Sequence, residues 1–206
     1  MSDSPTHKRE SHIEPARAPE GALRGLGEAA KGRSRSGPAP PWNPPDCGDI
    51  DMRIAADGTW FYCGSPVGRL PLVQLFASIL RKDGDRYVLV TPIEKVGVKV
   101  DDAPFLAVEL AAAGEGKGVT LTFRTNVGDV VTAGEGHPLR FERGAAEGLK
   151  PYVRVRGELW ALVKRALYYD LVALGSAELW HGEAWFGVRS AGVFFPMCPA
   201  SEIEGL

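Results

Sequence analysis

Residues 86–110, RYVLVTPIEKVGVKVDDAPFLAVEL, constrain the fold of this chain more than any other stretch. Tyr87-Val88-Leu89-Val90-Thr91 is almost continuously apolar and rich in β-branched residues, as expected of a strand covered on both faces. Pro92 has no amide hydrogen to give a ladder, so it marks a strand end, an edge or a bulge. Val96, Val98 and Val100 then alternate with Gly97, Lys99 and Asp101, the period of a half-buried strand. An Asp-Ala-Pro turn follows, and residues 105–110 read as a third strand. Glu94 and Lys95 fall between the first two strands. As a solvated turn pair they contribute little; as groove residues they would stand between two halves of the protein.

The 206 residues suffice for one large domain or two small ones. A net charge of −2 carries no basic footprint, so nucleic acid is not favoured as a partner, though charge alone does not exclude it. No apolar run approaches the roughly 20 residues of a membrane-spanning helix. The first residues lack the apolar stretch of a secretory signal, and Cys47, Cys63 and Cys198 follow neither disulfide nor metal spacing. The expected location is the cytoplasm.

Residues 1–45 are rich in Ser, Pro, Gly, Ala and charge, and read as a disordered tail that cannot bury enough apolar surface to offset chain entropy. Gly25-Leu26-Gly27-Glu28-Ala29-Ala30 fits a dinucleotide pattern only superficially, because no strand precedes it. A first unit over 46–103 opens with a hairpin across Ala56-Asp57-Gly58. Leu72, Leu75, Phe76, Ile79 and Leu80 then form one helical stripe, with Arg81 and Lys82 at its C-terminal end and Gly84 as its cap. At this size the unit needs a partner surface.

A larger unit over 104–200 follows, with 201–206 as a short tail. Residues 119–124 alternate as a strand with one wet face, and residues 152–155 alternate with Arg154 and Arg156 on the opposite face. Residues 158–174 carry Leu159, Leu162, Val163, Ala166, Leu167 and Leu171 at helical spacing. A last hairpin turns at Ser190-Ala191-Gly192. The order strand, helix, closing hairpin occurs in both halves, and the pattern leaves open whether that is duplication. The fold class is α+β, two tandem antiparallel-sheet-plus-helix units.

Chemistry is sparse. His137 and His181 are isolated in turns, and no cysteine pair stands near either, so neither zinc nor any other cofactor is expected. Asp101 and Asp102 are adjacent and point apart on an extended chain. Asn126 and Asp129 bracket a tight turn, where such residues often bond their own backbone. Arg154, Arg156, Lys164 and Arg165 gather near Tyr168 and Tyr169, a set able to grip an anion through guanidinium forks and tyrosine faces. A solvated face neutralised by Glu147 and Glu158 is the plainer account of that cluster.

Several runs together resemble a family of uncharacterised bacterial proteins known as a domain of unknown function. They are Tyr87-Val88-Leu89-Val90-Thr91-Pro92-Ile93-Glu94-Lys95, Asp102-Ala103-Pro104-Phe105, Phe123-Arg124-Thr125-Asn126, His137-Pro138-Leu139, Pro151-Tyr152-Val153-Arg154-Val155-Arg156 and Arg165-Ala166-Leu167-Tyr168-Tyr169. The resemblance implies two related α+β units, the C-terminal one pleckstrin-homology-like. It also implies a binding site at their interface, with signal transduction as the setting, and it brings no catalytic residues.

The expected function is therefore a non-catalytic binding or regulatory module. Its ligand, an unidentified protein, a peptide or a small anion, would be held between the units by Glu94, Lys95, Asn126, Asp129, Arg154, Tyr168 and Tyr169. The alternative is a hydrolase or transferase using Asp129 or His137 as base. A homodimer closed by an apolar face is a third reading.

Overall fold

The structure is a computed structural model that describes residues 41–144 and 148–203. The expected tail over residues 1–40 and the last residues 204–206 therefore lie outside the described residues. Within the rest of that expected tail, Trp42 packs against the core, and its carbonyl accepts a 2.6 Å hydrogen bond from Arg81.

The first sheet contains β1 (Asp46–Ile54), β2 (Trp60–Tyr62), β3 (Ser65–Pro66), β4 (Leu80–Asp83), β5 (Arg86–Val90) and β6 (Lys95–Val100), with helix α1 (Leu70–Ile79) between β3 and β4. Its order is β3-β2-β1-β6-β5-β4, and the central pair β1 and β6 runs parallel. The β1–β2 turn forms as its Asp-Gly signal predicts: Asp57 accepts from the Thr59 amide at 2.9 Å, and Gly58 takes φ +80°.

The second sheet contains β7 (Phe105–Ala113), β8 (Thr120–Thr125), β9 (Val130–Thr132), β10 (Leu139–Arg143), β11 (Leu149–Arg156) and β12 (Leu159–Val163). Its order is β10-β11-β12-β7-β8-β9, again with a parallel central pair, β7 and β12. In each sheet the first strand therefore pairs with the sixth, and an antiparallel run of three extends to either side. Helix α2 (Arg165–Ala173) follows, then a three-stranded sheet of β13 (Ser176–Trp180), β14 (Glu183–Ser190) and β15 (Val193–Pro199). Ser190 fastens this sheet to the second one, its hydroxyl donating to Ala133 O at 2.7 Å and accepting from the Leu121 amide at 2.8 Å.

The described residues are thus mostly sheet with two helices, an α+β arrangement rich in β structure. The expected antiparallel sheets are mixed, because each carries a parallel central pair, and two expected elements also differ. The first helix ends at Ile79, and Leu80–Asp83 is a strand paired with β5 across a turn at Gly84. Arg81 and Lys82 therefore lie on β4 and not on a helix end, and Arg81 pairs with Asp83 at 2.5 Å. The buried stripe is Val73, Phe76, Ala77 and Ile79, with Leu72 and Leu75 only half-buried.

The long second helix expected over 158–174 is the other difference. Gly157 turns the chain at φ +48°, and Leu159, Ala161 and Val163 are buried while Trp160 and Leu162 are not, a period of two. A nearly continuous apolar run satisfies both periods, so periodicity alone does not separate them. The strand wins because β11 and β7 both need a neighbour there. The helix is left with Arg165–Ala173.

Candidate functional site

Helix α1 sits where the first and second sheets meet. Phe76 stacks on Trp60 of the first sheet at 6.1 Å between ring centroids. Gln74 donates to Val127 O at 3.0 Å, and Ala77 O accepts from Arg156 at 2.5 Å, both from the turns and strands of the second sheet. Beneath the helix, Arg156 donates to both oxygens of Asp129 at 3.2 and 3.1 Å. A cation near the last turn of α1 also suits the negative end of the helix dipole. Burial pushes the Asp129 carboxyl above the ordinary aspartate range, and Arg156 and Thr125 offset that only in part.

Asn126 joins the same seam. Its Oδ1 accepts from the Leu106 amide at 3.0 Å, and its Nδ2 donates to Gly58 O across 3.4 Å. Beside it lies a cavity of about 230 Å³ lined by Gly58, Thr59, Trp60, Gly68, Leu70 and Asn126, among others. Trp60 is 1% exposed, and its indole N–H has no acceptor among the described residues. Helix α1 begins at this cavity with no side-chain cap and no acidic residue in its first turn. Among the described residues no carboxylate lines the cavity. Most donors nearby have partners: Asn126 Nδ2 faces Gly58 O, Leu72 and Val73 donate to Arg69 O, and Pro71 has no N–H, which leaves the Trp60 indole N–H.

The remaining expected site residues stand apart from this cavity's lining. Glu94 lies in the turn before β6, where its backbone N–H and C=O bond Thr91, and one carboxylate oxygen is buried without a partner. Lys95 pairs with Asp83 at 3.2 Å, within the first sheet. Arg154 donates to Gly136 O at 3.3 Å, and its own carbonyl accepts from His137 Nδ1 at 3.0 Å. That bond places a hydrogen on His137 Nδ1, since a carbonyl can only accept.

Tyr168 and Tyr169 come together on α2, ring edge to ring face at 5.9 Å. They line a second cavity, of about 330 Å³, with Lys150 and Arg165. The expected cation cluster is therefore divided. Arg165 borders the tyrosines, Arg154 holds a turn, and Arg156, expected on a wet face, is buried in the seam.

Trp60 fills the core, with its ring stacked on Phe76. Its unanswered N–H follows from the three-dimensional neighbourhood and leaves no trace in residue spacing. Lys150 was not singled out; its pairing with Asp102 at 2.7 Å and Tyr152 Oη donating to the same carboxylate at 2.7 Å join β11 to the Asp-Asp turn. Burial and that carboxylate together raise the Tyr152 phenol well above its ordinary range. Among the described residues no group of three or more His, Cys, Asp and Glu side chains is placed to hold a metal ion. No helix among them is long and apolar enough to cross a membrane.

Residues 37–103 match a family model described as the N-terminal domain of the domain of unknown function DUF1285, and residues 104–197 match the C-terminal domain of the same family. A solved structure of a DUF1285 family protein from Silicibacter pomeroyi DSS-3 is 52% identical, with a TM-score of 0.77 over 87% of this chain and 97% of that chain. A DUF1285 family protein from Shewanella baltica OS155 is 31% identical over 60% of this chain and 91% of that chain, with a TM-score of 0.49. No curated protein matches the chain. With both halves matched in order and a structural relative above half identity, the chain belongs to the DUF1285 family.

Proposed function

We propose that this protein is a cytoplasmic, non-catalytic binding or regulatory module that takes a small anionic ligand at the junction of two related units, residues 46–103 and 104–200. The observation that carries the reading is the cavity beside Trp60 and Asn126, where the buried indole N–H lacks an acceptor. An indole N–H buried without an acceptor costs about 1–3 kcal/mol, and a ligand oxygen seated there would recover it. The cavity of about 230 Å³ falls below the roughly 300–1,000 Å³ of drug-sized sites, so the ligand is small.

Relatedness of the units is supported by the shared strand plan, in which first and sixth strands pair in parallel at the centre of each sheet. Two antiparallel runs of three strands followed by a helix support the pleckstrin-homology likeness of the second unit, and the parallel β7–β12 pair departs from an all-antiparallel plan. Ligand-dependent signalling is the role such a junction suits, because a ligand touching both units favours one arrangement of them. The rival reading, a hydrolase or transferase with Asp129 or His137 as base, has less support. Asp129 is 2% exposed and committed to Arg156, and His137, whose Nε2 stays available to take a proton, lines neither cavity.

Calorimetric titration of the full chain with acetate, propionate, succinate and inorganic phosphate tests the proposal. Saturable binding of one of them, with a matching rise in melting temperature, is expected. If none binds, the anion reading of the junction falls.

A further inference from the structure

The strand at a sheet edge offers unpaired backbone to any further strand, and most edges of this fold are guarded against that. β3 is two residues ending in Pro66, and β9 is three residues long. β4 carries Arg81, Lys82 and Asp83, β10 carries Arg140, Glu142 and Arg143, and β15 carries Pro196 and Pro199. Strand β13 differs, with five residues and neither proline nor lysine. Its single charge, Glu178, is held by the Arg189 fork, Nε donating at 2.7 Å. Leu179 beside it is 82% exposed.

The β13–β14 turn decides which backbone groups face outward. His181 and Gly182 take φ +50° and +87°, the type I′ pattern of a two-residue hairpin, so Trp180 and Glu183 close it as a hydrogen-bonded pair. Such pairs alternate along an antiparallel ladder. Ser176 and Glu178 therefore bond β14, while the amides and carbonyls of Ala177 and Leu179 point away from it. Among the described residues those groups meet no backbone partner, because β13 ends its sheet.

We propose that β13 pairs antiparallel with β13 of a second copy of this chain, about a two-fold axis at Glu178. In that register Ala177 faces Leu179 of the partner subunit, and Ser176 faces Trp180 of the partner subunit, small against large on both faces of the sheet. The outward pairs exchange both of their N–H···O bonds. Moving the axis to Ala177 or Leu179 leaves part of the strand unpaired. The two Glu178 carboxylates meet across the axis, where bare like charges repel. Each arrives neutralised by its own Arg189, so two ion pairs meet there. The edge thus answers itself in backbone, size and charge, and a closed two-fold is the commonest way for copies to associate. One short strand is a small interface, so the dimer is weak, with a dissociation constant in the micromolar range.

Sedimentation equilibrium of the full chain between about 5 and 500 µM tests the proposal, and a concentration-dependent dimer is expected. Leu179→Lys, at an exposed position, is expected to keep the melting temperature and to weaken the dimer about tenfold or more. Val130→Lys, on the edge of the second sheet, is expected to leave the dimer unchanged. Glu178→Cys, in a chain also carrying Cys47→Ser and Cys63→Ser, is expected to cross-link the two copies under mild oxidation, since residues opposite each other in a non-hydrogen-bonded pair stand about 4.5 Å apart at Cα. A monomer at every concentration, a dimer unmoved by Leu179→Lys, a dimer lost in Val130→Lys, or no cross-link at position 178 would each overturn it.

Discussion

The guanidinium of Arg156 and the carboxylate of Asp129 meet at 3.1 Å in the seam beneath α1, with side chains 6% and 3% exposed. The same guanidinium reaches Ala77 O, so one side chain ties β11, the β8–β9 turn and the helix together. It also lies over the Phe105 ring, at 5.1 Å from the centroid. A buried pair of this kind adds little net stability compared with apolar replacements, but removing one partner leaves an uncompensated charge.

Asp129→Ala should therefore destabilise the fold by about 3–5 kcal/mol. The double variant Arg156→Met, Asp129→Leu should recover most of that loss. Urea unfolding at neutral pH measures both, and a single variant as stable as the parent would show that the pair does not join the seam.

Acid should weaken the fold. Arg81 holds the Asp83 carboxyl below the usual range, Arg53 does so for Asp101, and the Gly48 amide, with Arg86, does so for Asp46. Each is ionised in the folded chain at a pH where the unfolded chain takes up a proton. The stability they contribute is present above the ordinary value of about 3.9 and is lost as pH falls through their folded values. Asp129 opposes this, since its raised value lets the folded chain hold that proton first. Urea midpoints should drop from pH 5 to pH 3, and Asp83→Asn should flatten the drop.

Two glycines in strands should respond differently to alanine. At Gly187 an added Cβ would meet the Phe195 carbonyl oxygen in the paired strand β15, and backbone cannot move aside. At Gly97 the nearest atoms are the Asp49 carboxylate and the Arg86 guanidinium, the far ends of two exposed side chains that can shift together at the cost of an exposed ion pair. Gly187→Ala should cost about 1–3 kcal/mol and Gly97→Ala distinctly less. Equal melting temperatures for the two variants would contradict the close strand approach at Gly187.

Much of the first sheet is legible in the residues because its signals are local. Asp57-Gly58 dictates a turn, and Val96, Val98 and Val100 can hide one face only as a strand. Residues 159–163 are not legible in that way, since an apolar run fits either period until β7 and β11 claim it. Arg156 shows the same limit at one residue. It shares parity with Arg154, yet the register slips between them and Arg156 is carried over Phe105 into the seam. Asn126 reads correctly as a turn residue, but its reach to Gly58 spans 68 positions of sequence.

A bound anion would meet the Trp60 indole N–H, the buried donor beside the junction cavity. Trp60→Phe keeps a ring to stack on Phe76 and removes only the donor and its extra ring. Calorimetry of this variant against the small anion that binds the parent measures the claim most directly. Affinity weakened by about tenfold or more is expected, as for a lost hydrogen bond to a charged group, beside a loss of ligand-free stability from the smaller ring at a fully buried position. Parental affinity in Trp60→Phe would contradict it.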